Sequence, residues 1–281
     1  MNTEDIIVKC LNCGKEYTGI CCPQCGQKAK IKRLKFKEII ADFANSIIGG
    51  DNKFANTLYA LCRRPGHMVR EYLQGHRIKY YNPLQMLIWI ISIYALLSYF
   101  LGSDPFELDA LPKEEIVKEN QSHWQTLMTM VKRCANFIYY NKLYYTLFCT
   151  LLIVGPYWLV FRKQKISRPD GAKLPLNHTE QFYAILYQSC MEMMFAVLLL
   201  PFCFIPDSRD VLREINNYAG MLFSIILYKQ LYGIGWWKSI RCNIMAFILF
   251  IINVVIIILL LIALVMGVFA LIYGAEEITI E

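Results

Sequence analysis

The chain has 281 residues, 56% of them hydrophobic, with a mean hydropathy of +0.36 and a formal charge of +7. These totals fit either a large soluble domain or a polytopic membrane protein, and the clustering of apolar residues into long runs excludes the first. Residues 1 to 83 account for the whole charge, with fourteen Lys and Arg against seven Asp and Glu, while the remaining fifteen of each sign cancel.

Two Cys-x-x-Cys knuckles open the chain, CLNCG and CCPQCG. Thiolates two residues apart on a tight turn can both reach one ion, and two such turns complete the tetrahedral sulfur shell that zinc favours. The spacing therefore predicts a ribbon over residues 1–30 that holds one structural Zn2+ through Cys10, Cys13, Cys22 and Cys25. Gly14 and Gly26 follow each second cysteine, where a positive φ suits a residue without Cβ. Cys21 is a spare ligand, usable only if the second turn were wider. A disulfide cluster would need an oxidising compartment. A redox dithiol wants one such pair at a helix start, and a rubredoxin-like iron site wants far more chain between its knuckles.

Residues 31–82 read as a basic, amphipathic, helical juxtamembrane segment. Phe36, Ile39, Ile40, Phe43, Ile47 and Ile48 repeat at helical spacing before Gly49 and Gly50. Asp51 or Asn52 can cap a second helix through Phe54, Leu58 and Leu61, and a third runs from His67 to Leu73. These helices are expected in the inner interface or on the cytosolic ends of the spans. The run Lys28, Lys30, Lys32, Arg33, Lys35 and Lys37 could serve nucleic acid. Beside a bilayer, attraction to anionic inner-leaflet lipid at about 1 kcal/mol per residue explains it without a further ligand.

The ribbon, the helical segment, RRPG (Arg63 to Gly66), YLQGHR (Tyr72 to Arg77), Tyr80 and Pro83 together resemble an uncharacterised family of bacterial membrane proteins, domain of unknown function 3667. The resemblance covers roughly the first 90 residues. It implies a membrane architecture and a bacterial inner-membrane location, and it implies no activity.

Residues 83–281 read as an all-α membrane domain of about five spans, near 84–101, 143–161, 182–205, 218–237 and 244–273, each long enough to cross about 30 Å of hydrocarbon. The fourth is the weakest, because it contains Lys229 and Gln230. Five Lys and Arg in loop 162–181 and three between Lys229 and Asn243 fall on the side of the basic N-terminus. Five lie in 102–142 and two in 206–217, with none in the acidic tail. The positive-inside rule then places the N-terminus in the cytoplasm and the C-terminus outside. Loop 102–142 carries an apolar stripe that includes Trp124 and Val131 and predicts an amphipathic helix, and Cys134 could meet Cys203. Pro156 and Pro201 should kink or loosen their spans.

Glu192, about ten residues into the third span, is the most informative intramembrane residue, since a carboxylate there must be paired, protonated or wet. Helical rise puts Lys229, Asn253 and Ser92 at similar depth, forming a possible polar site. The competing interpretation is an ion pair gluing helices, with Lys229 reaching the inner surface. No phosphate loop, nucleophile elbow or His-rich motif is present, and His67, His76, His123 and His178 are isolated. The sequence thus predicts a non-enzymatic scaffold, regulator or sensor whose ribbon binds an unidentified protein partner. The alternative is a transporter or lipid-handling protein that uses the polar site.

Overall fold

The computed structural model describes residues 8–28, 53–101, 142–167, 171–205 and 208–278. The first block is the ribbon, where β1 (Val8–Lys9) pairs antiparallel with β2 (Glu16–Tyr17). An isolated bridge joins Cys21 to Lys28. The expected helix over Phe36–Ile48, its glycine stop and the Asp51 or Asn52 cap lie outside the described residues.

Helix α1 (Lys53–Arg63) ends where it should, because the residue before a proline disfavours helical backbone, and Arg64 is indeed non-helical at φ −150°. Helix α2 (Pro65–Leu73) starts two residues earlier than His67, with Pro65 in the first turn, where its missing N–H is not needed. Gly75 at φ +113° takes the chain out of α2 towards α3 (Pro83–Leu101). Next come α4 (Lys142–Phe161), a hairpin of β3 (Lys165–Ser167) and β4 (Lys173–Pro175), and α5 (His178–Leu199), which a 3-10 turn continues through Leu200–Phe204. Helices α6 (Ser208–Tyr232) and α7 (Trp236–Ile278) complete the described elements.

Among the described residues, four segments are long and apolar enough to cross a membrane: Pro83–Leu101, Tyr144–Phe161, His178–Phe204 and Trp236–Leu264. Helix α6 has the length, but Arg209, Asp210, Arg213, Glu214 and Lys229 charge its ends. Its boundaries also correct the expected span 218–237. The helix begins ten residues earlier and stops at Tyr232, because Gly233 adopts φ +65° and Ile234 N–H closes back on Lys229 O at 3.1 Å. Trp236 and Trp237 belong to α7, which starts eight residues before the expected 244. Pro156 sits inside an unbroken α4, and Pro201 lies in the 3-10 turn where α5 loses its regular form. The predicted helix in 102–142, and with it the meeting of Cys134 and Cys203, lies outside the described residues.

Helix α5 is the axis of the packing. Asn177 and Glu180 form a capping box at its start, with Glu180 N donating to Asn177 Oδ1 at 2.7 Å and Asn177 N to Glu180 Oε2 at 3.0 Å. It buries Tyr183, Ala184, Leu186, Tyr187 and Cys190 against α3 and its neighbours. Tyr187 OH donates to Tyr81 O at 2.7 Å, which fixes the entry of α3. Helix α6 runs antiparallel beside α5 along its length. Gln181 bonds Tyr228 at one end, Glu192 touches Gly220 midway, and the ring of Phe195 meets that of Phe223 at 5.7 Å.

Among its described side chains, helix α7 docks only those of its first turns. Ser239, Asn243 and Ala246 are buried, whereas no residue from Phe247 to Leu264 is. The seam is polar, with Tyr157 OH within 3.1 Å of Ser224 Oγ and 3.2 Å of Asn243 Oδ1, and Asn243 Nδ2 donating to Ser239 O at 2.9 Å. Interhelical bonds of this kind average about 0.6 kcal/mol each in a membrane, so they set the register of α4, α6 and α7 more than they add stability.

Candidate metal centre

Each knuckle of the ribbon is built the same way. Gly14 N–H donates to Cys10 O at 2.9 Å and Cys10 N–H to Lys15 O at 2.8 Å; Gly26 N–H donates to Cys22 O and Cys22 N–H to Gln27 O, both at 2.8 Å. Gly14 and Gly26 hold φ of +78° and +72°, which aims backbone amides back at the sulfurs. The Sγ atoms of Cys10, Cys13, Cys22 and Cys25 all lie within 4.8 Å of one another, with Cys10–Cys25 and Cys13–Cys22 at 3.5 Å. Four sulfurs about 2.3 Å from a tetrahedral ion stand about 3.8 Å apart, so the spacing fits a single metal.

Cys21 is exposed and outside this set. It pairs through its backbone with Lys28, and successive residues of an extended segment point to opposite sides, so Cys22 turning inward sends Cys21 out. Beside the sulfurs the ribbon buries Tyr17 and Gln27, and the Tyr17 hydroxyl donates to Gln27 O at 3.4 Å. Four thiols this close share negative charge unevenly. Burial pushes the Cys10 thiol up, but the amides of Cys13 and Asn12 and the Cys25 and Cys13 thiols more than offset it, bringing it down to about 6. The Lys15 amide lowers Cys13, but burial and the three other thiols together drive it up to about 12. A bound cation removes that competition by taking all four as thiolates.

The second knuckle meets the segment that leads into α3. A Cβ at Gly26 would lie 4.0 Å from Ile78 Cδ1, in the turn after α2. That turn is tied by Glu71, which accepts from Arg64 Nη1 at 2.7 Å, from Lys79 Nζ at 3.3 Å and from Tyr80 OH. Burial raises the Glu71 carboxyl, but the Tyr80 and Lys79 bonds and the Lys79 and Arg64 charges hold it below the ordinary carboxylate range.

Helix α2 in turn clamps the end of α6. Gly66 packs on its backbone, and Gly66 N–H donates to Gln230 Oε1 at 3.0 Å. Arg70 donates from Nε to Leu231 O at 2.8 Å and from Nη2 to Gln230 O. These are carbonyls of the last turn of α6, which have no helical partner of their own and where a cation is favourable. Tyr72 completes the clamp by stacking on Tyr183 and meeting Tyr187 edge-on. The second and third of the expected juxtamembrane helices, α1 and α2, thus pack against the start of α5 and the end of α6. In the sequence Gly66 stands out only as part of RRPG and Gln230 only as a polar interruption of the fourth span, and Arg70 does not stand out; a glycine and an arginine four apart on one helical face is the available signal.

The four residues of the expected intramembrane site are not brought together. Lys229 Nζ sits 3.8 Å over the Trp236 ring, in the last turn of α6. Glu192 touches Gly220, nine residues or about 13 Å away along the same helix. Ser92 is exposed and bonded to its own backbone, donating to Ile88 O at 2.8 Å. Asn253 is half-buried in α7, ten residues past the buried Asn243. Equal depth along the helices does not set which way a side chain points around its helix.

Residues 51–95, which run from α1 through the clamp into α3, match the family described as protein of unknown function (DUF3667). No curated protein and no solved structure matches the chain.

Proposed function

We propose that this is a non-enzymatic adaptor of the bacterial inner membrane, in which a cytosolic zinc ribbon docks a protein partner and the helices act as anchor. The observation that carries this reading is the four-thiol cluster, seated through Ile78 on the segment that clamps α6. Zinc suits an all-thiolate tetrahedral shell. Ile20 supports the docking role, because it stands 81% exposed on a ribbon too small to hide it, a ribbon that also exposes Lys15 and Lys28. Anionic lipid is the natural neighbour of the basic segment that follows, and nucleic acid is not needed to explain it. The transporter alternative relied on Glu192 with Lys229, and the Trp236 contact engages Lys229 elsewhere.

Cross-linked co-purification from the source organism tests the adaptor role. A partner captured by the wild type should be lost from both Cys22→Ser and Ile20→Glu, while the membrane domain still purifies. Retention of the same partner by both variants would sink the docking role.

Five spans with the N-terminus inside follow if α6 crosses alongside α5. Its 25 residues span about 37 Å, and its charges sit at its two ends. Reporter fusions after residues 110, 170, 212, 240 and 281 should then read out, in, out, in, out. If 212 and 240 report the same side, α6 does not cross and the C-terminus lies inside.

A further inference from the structure

The start of α7 presents a pair of cations and an apolar track on the side turned away from the bundle. The inner stripe of these turns is Ser239, Asn243 and Ala246, all buried. Arg241 stands two residues from both Ser239 and Asn243, about 200° around the helix, so it faces away from that stripe and is exposed. Lys238 lies three residues before Arg241 and Trp237 four, positions that are neighbours on a helix surface. Both are exposed, Trp237 at 77%, whereas the Trp236 ring carries Lys229 over its face.

Among the described residues neither Lys238 nor Arg241 enters an ion pair. Lys238 Nζ donates to the neutral Gln164 Oε1 at 3.2 Å, which ties it to the segment after α4 without cancelling its charge. Glu180 and Glu71, carboxylates at the same end of the bundle, are committed elsewhere: Glu180 closes the α5 capping box, and Glu71 takes Arg64, Lys79 and Tyr80. Beyond Arg241 the same face continues through Met245, Ile248 and Ile252, four, seven and eleven residues on, all exposed. Cations, an indole and hydrocarbon therefore follow in order along a helix long and apolar enough to cross a membrane.

We propose that this face of α7 binds one anionic phospholipid, with its phosphate between Lys238 and Arg241 and an acyl chain along Met245, Ile248 and Ile252. Charge selects the class of lipid. Two cations without a counter-ion favour a net-negative headgroup over a zwitterionic one, which brings its own positive charge to the site. The Arg241 guanidinium takes two phosphate oxygens in a fork, and the Lys238 ammonium adds a point charge beside them. Trp237 holds its indole at headgroup level, where ring and N–H meet apolar and polar surroundings at once. A nucleic acid or an acidic protein would satisfy the cations and leave the apolar track unused, and this commits the face to a lipid. The site is separate from the basic run of residues 28–37 and does not depend on what the ribbon docks.

The test places the full chain in phosphatidylcholine nanodiscs that contain a small fraction of brominated phosphatidylglycerol or, in parallel, of brominated phosphatidylcholine. Bromine on the acyl chain quenches nearby indoles, and subtracting a Trp237→Phe protein in each background isolates the Trp237 signal. Brominated phosphatidylglycerol should quench Trp237 several-fold more than brominated phosphatidylcholine at the same fraction. Lys238→Gln with Arg241→Gln should abolish that preference, and Lys238→Arg with Arg241→Lys should keep it. Both side chains are exposed, so the helical circular dichroism of either pair should match the wild type. Arg162→Gln with Lys163→Gln removes the same charge from exposed positions just before Gln164 and should leave most of the preference. Equal quenching by the two lipids overturns the proposal, as does a preference that survives Lys238→Gln with Arg241→Gln. A preference lost as fully from the Arg162 and Lys163 pair overturns it too, since that result means diffuse attraction to a positive surface. Capture of a short single-stranded RNA by the wild type and not by Lys238→Gln with Arg241→Gln, without any lipid preference, would give the face to nucleic acid instead.

Discussion

Cys22→Ser unfolds residues 8–28 and leaves the helical bundle in place. Without its sulfurs the ribbon has Tyr17 as its one buried hydrophobic side chain, beside the buried Gln27, and two strands of two residues each, far too little to offset the entropy of ordering twenty-one residues. Metal binding supplies what the core cannot, on the order of 10–16 kcal/mol for structural zinc in peptides of this kind. Loss of one of four thiolates should therefore abolish amide protection throughout the ribbon by hydrogen exchange. Helical circular dichroism should stay near the wild-type value. Cys21→Ser should keep full protection, since its thiol faces solvent. Protection that survives Cys22→Ser and disappears in Cys21→Ser would transfer the ligand role to Cys21.

The second large effect belongs to Gly66→Val, which should free α2 from the bundle. Even the first added carbon would stand 2.2 Å from Leu227 O and 2.5 Å from Leu231 N, backbone atoms of α6 that cannot step aside as a flexible side chain would. Helix α2 must lift away, giving up the Arg70 bonds to the α6 carbonyls and the Gly66 bond to Gln230 together. Overpacking of this kind costs about 1–3 kcal/mol or more, and each lost bond to a charged donor adds about 1.5–3 kcal/mol. Together these come to about 4–9 kcal/mol, so a thermal midpoint lower by roughly 10–35 °C is expected at about 2–4 °C per kcal/mol. Arg70→Ala should show a part of that shift, and Arg70→Lys should recover little, because one ammonium cannot serve two carbonyls in the guanidinium geometry. A Gly66→Val protein that melts like the wild type would show that α2 does not clamp α6 in solution.

What could be read from the sequence follows from the range of the interactions involved. The cysteine set was legible because metal ligation imposes a short local spacing, and the turn glycines confirm it residue by residue. The hydrophobic runs of α3, α4, α5 and α7 were legible because hydrocarbon demands length and composition alone. Their ends were less so: Trp236 and Trp237 read as the close of one span and begin another, since Gly233 breaks the helix in the middle of an apolar stretch. The β3–β4 hairpin was missed although Pro169, Asp170 and Gly171 form a turn signal between alternating residues. Tertiary choices were least legible. Nothing local says that Lys229 covers Trp236, that Gly220 makes room for Glu192, or that Gly66 meets a helix 160 residues away; those depend on the rotation of each helix about its axis.

The proposed docking role depends on a metal-folded ribbon, and elemental analysis of the purified full-length chain tests that metal most directly. One zinc per chain is expected in the wild type and in Cys21→Ser, and none in Cys10→Ser, Cys13→Ser, Cys22→Ser or Cys25→Ser. A protein that carries no metal, or that absorbs in the visible as a ferric thiolate centre, would contradict it.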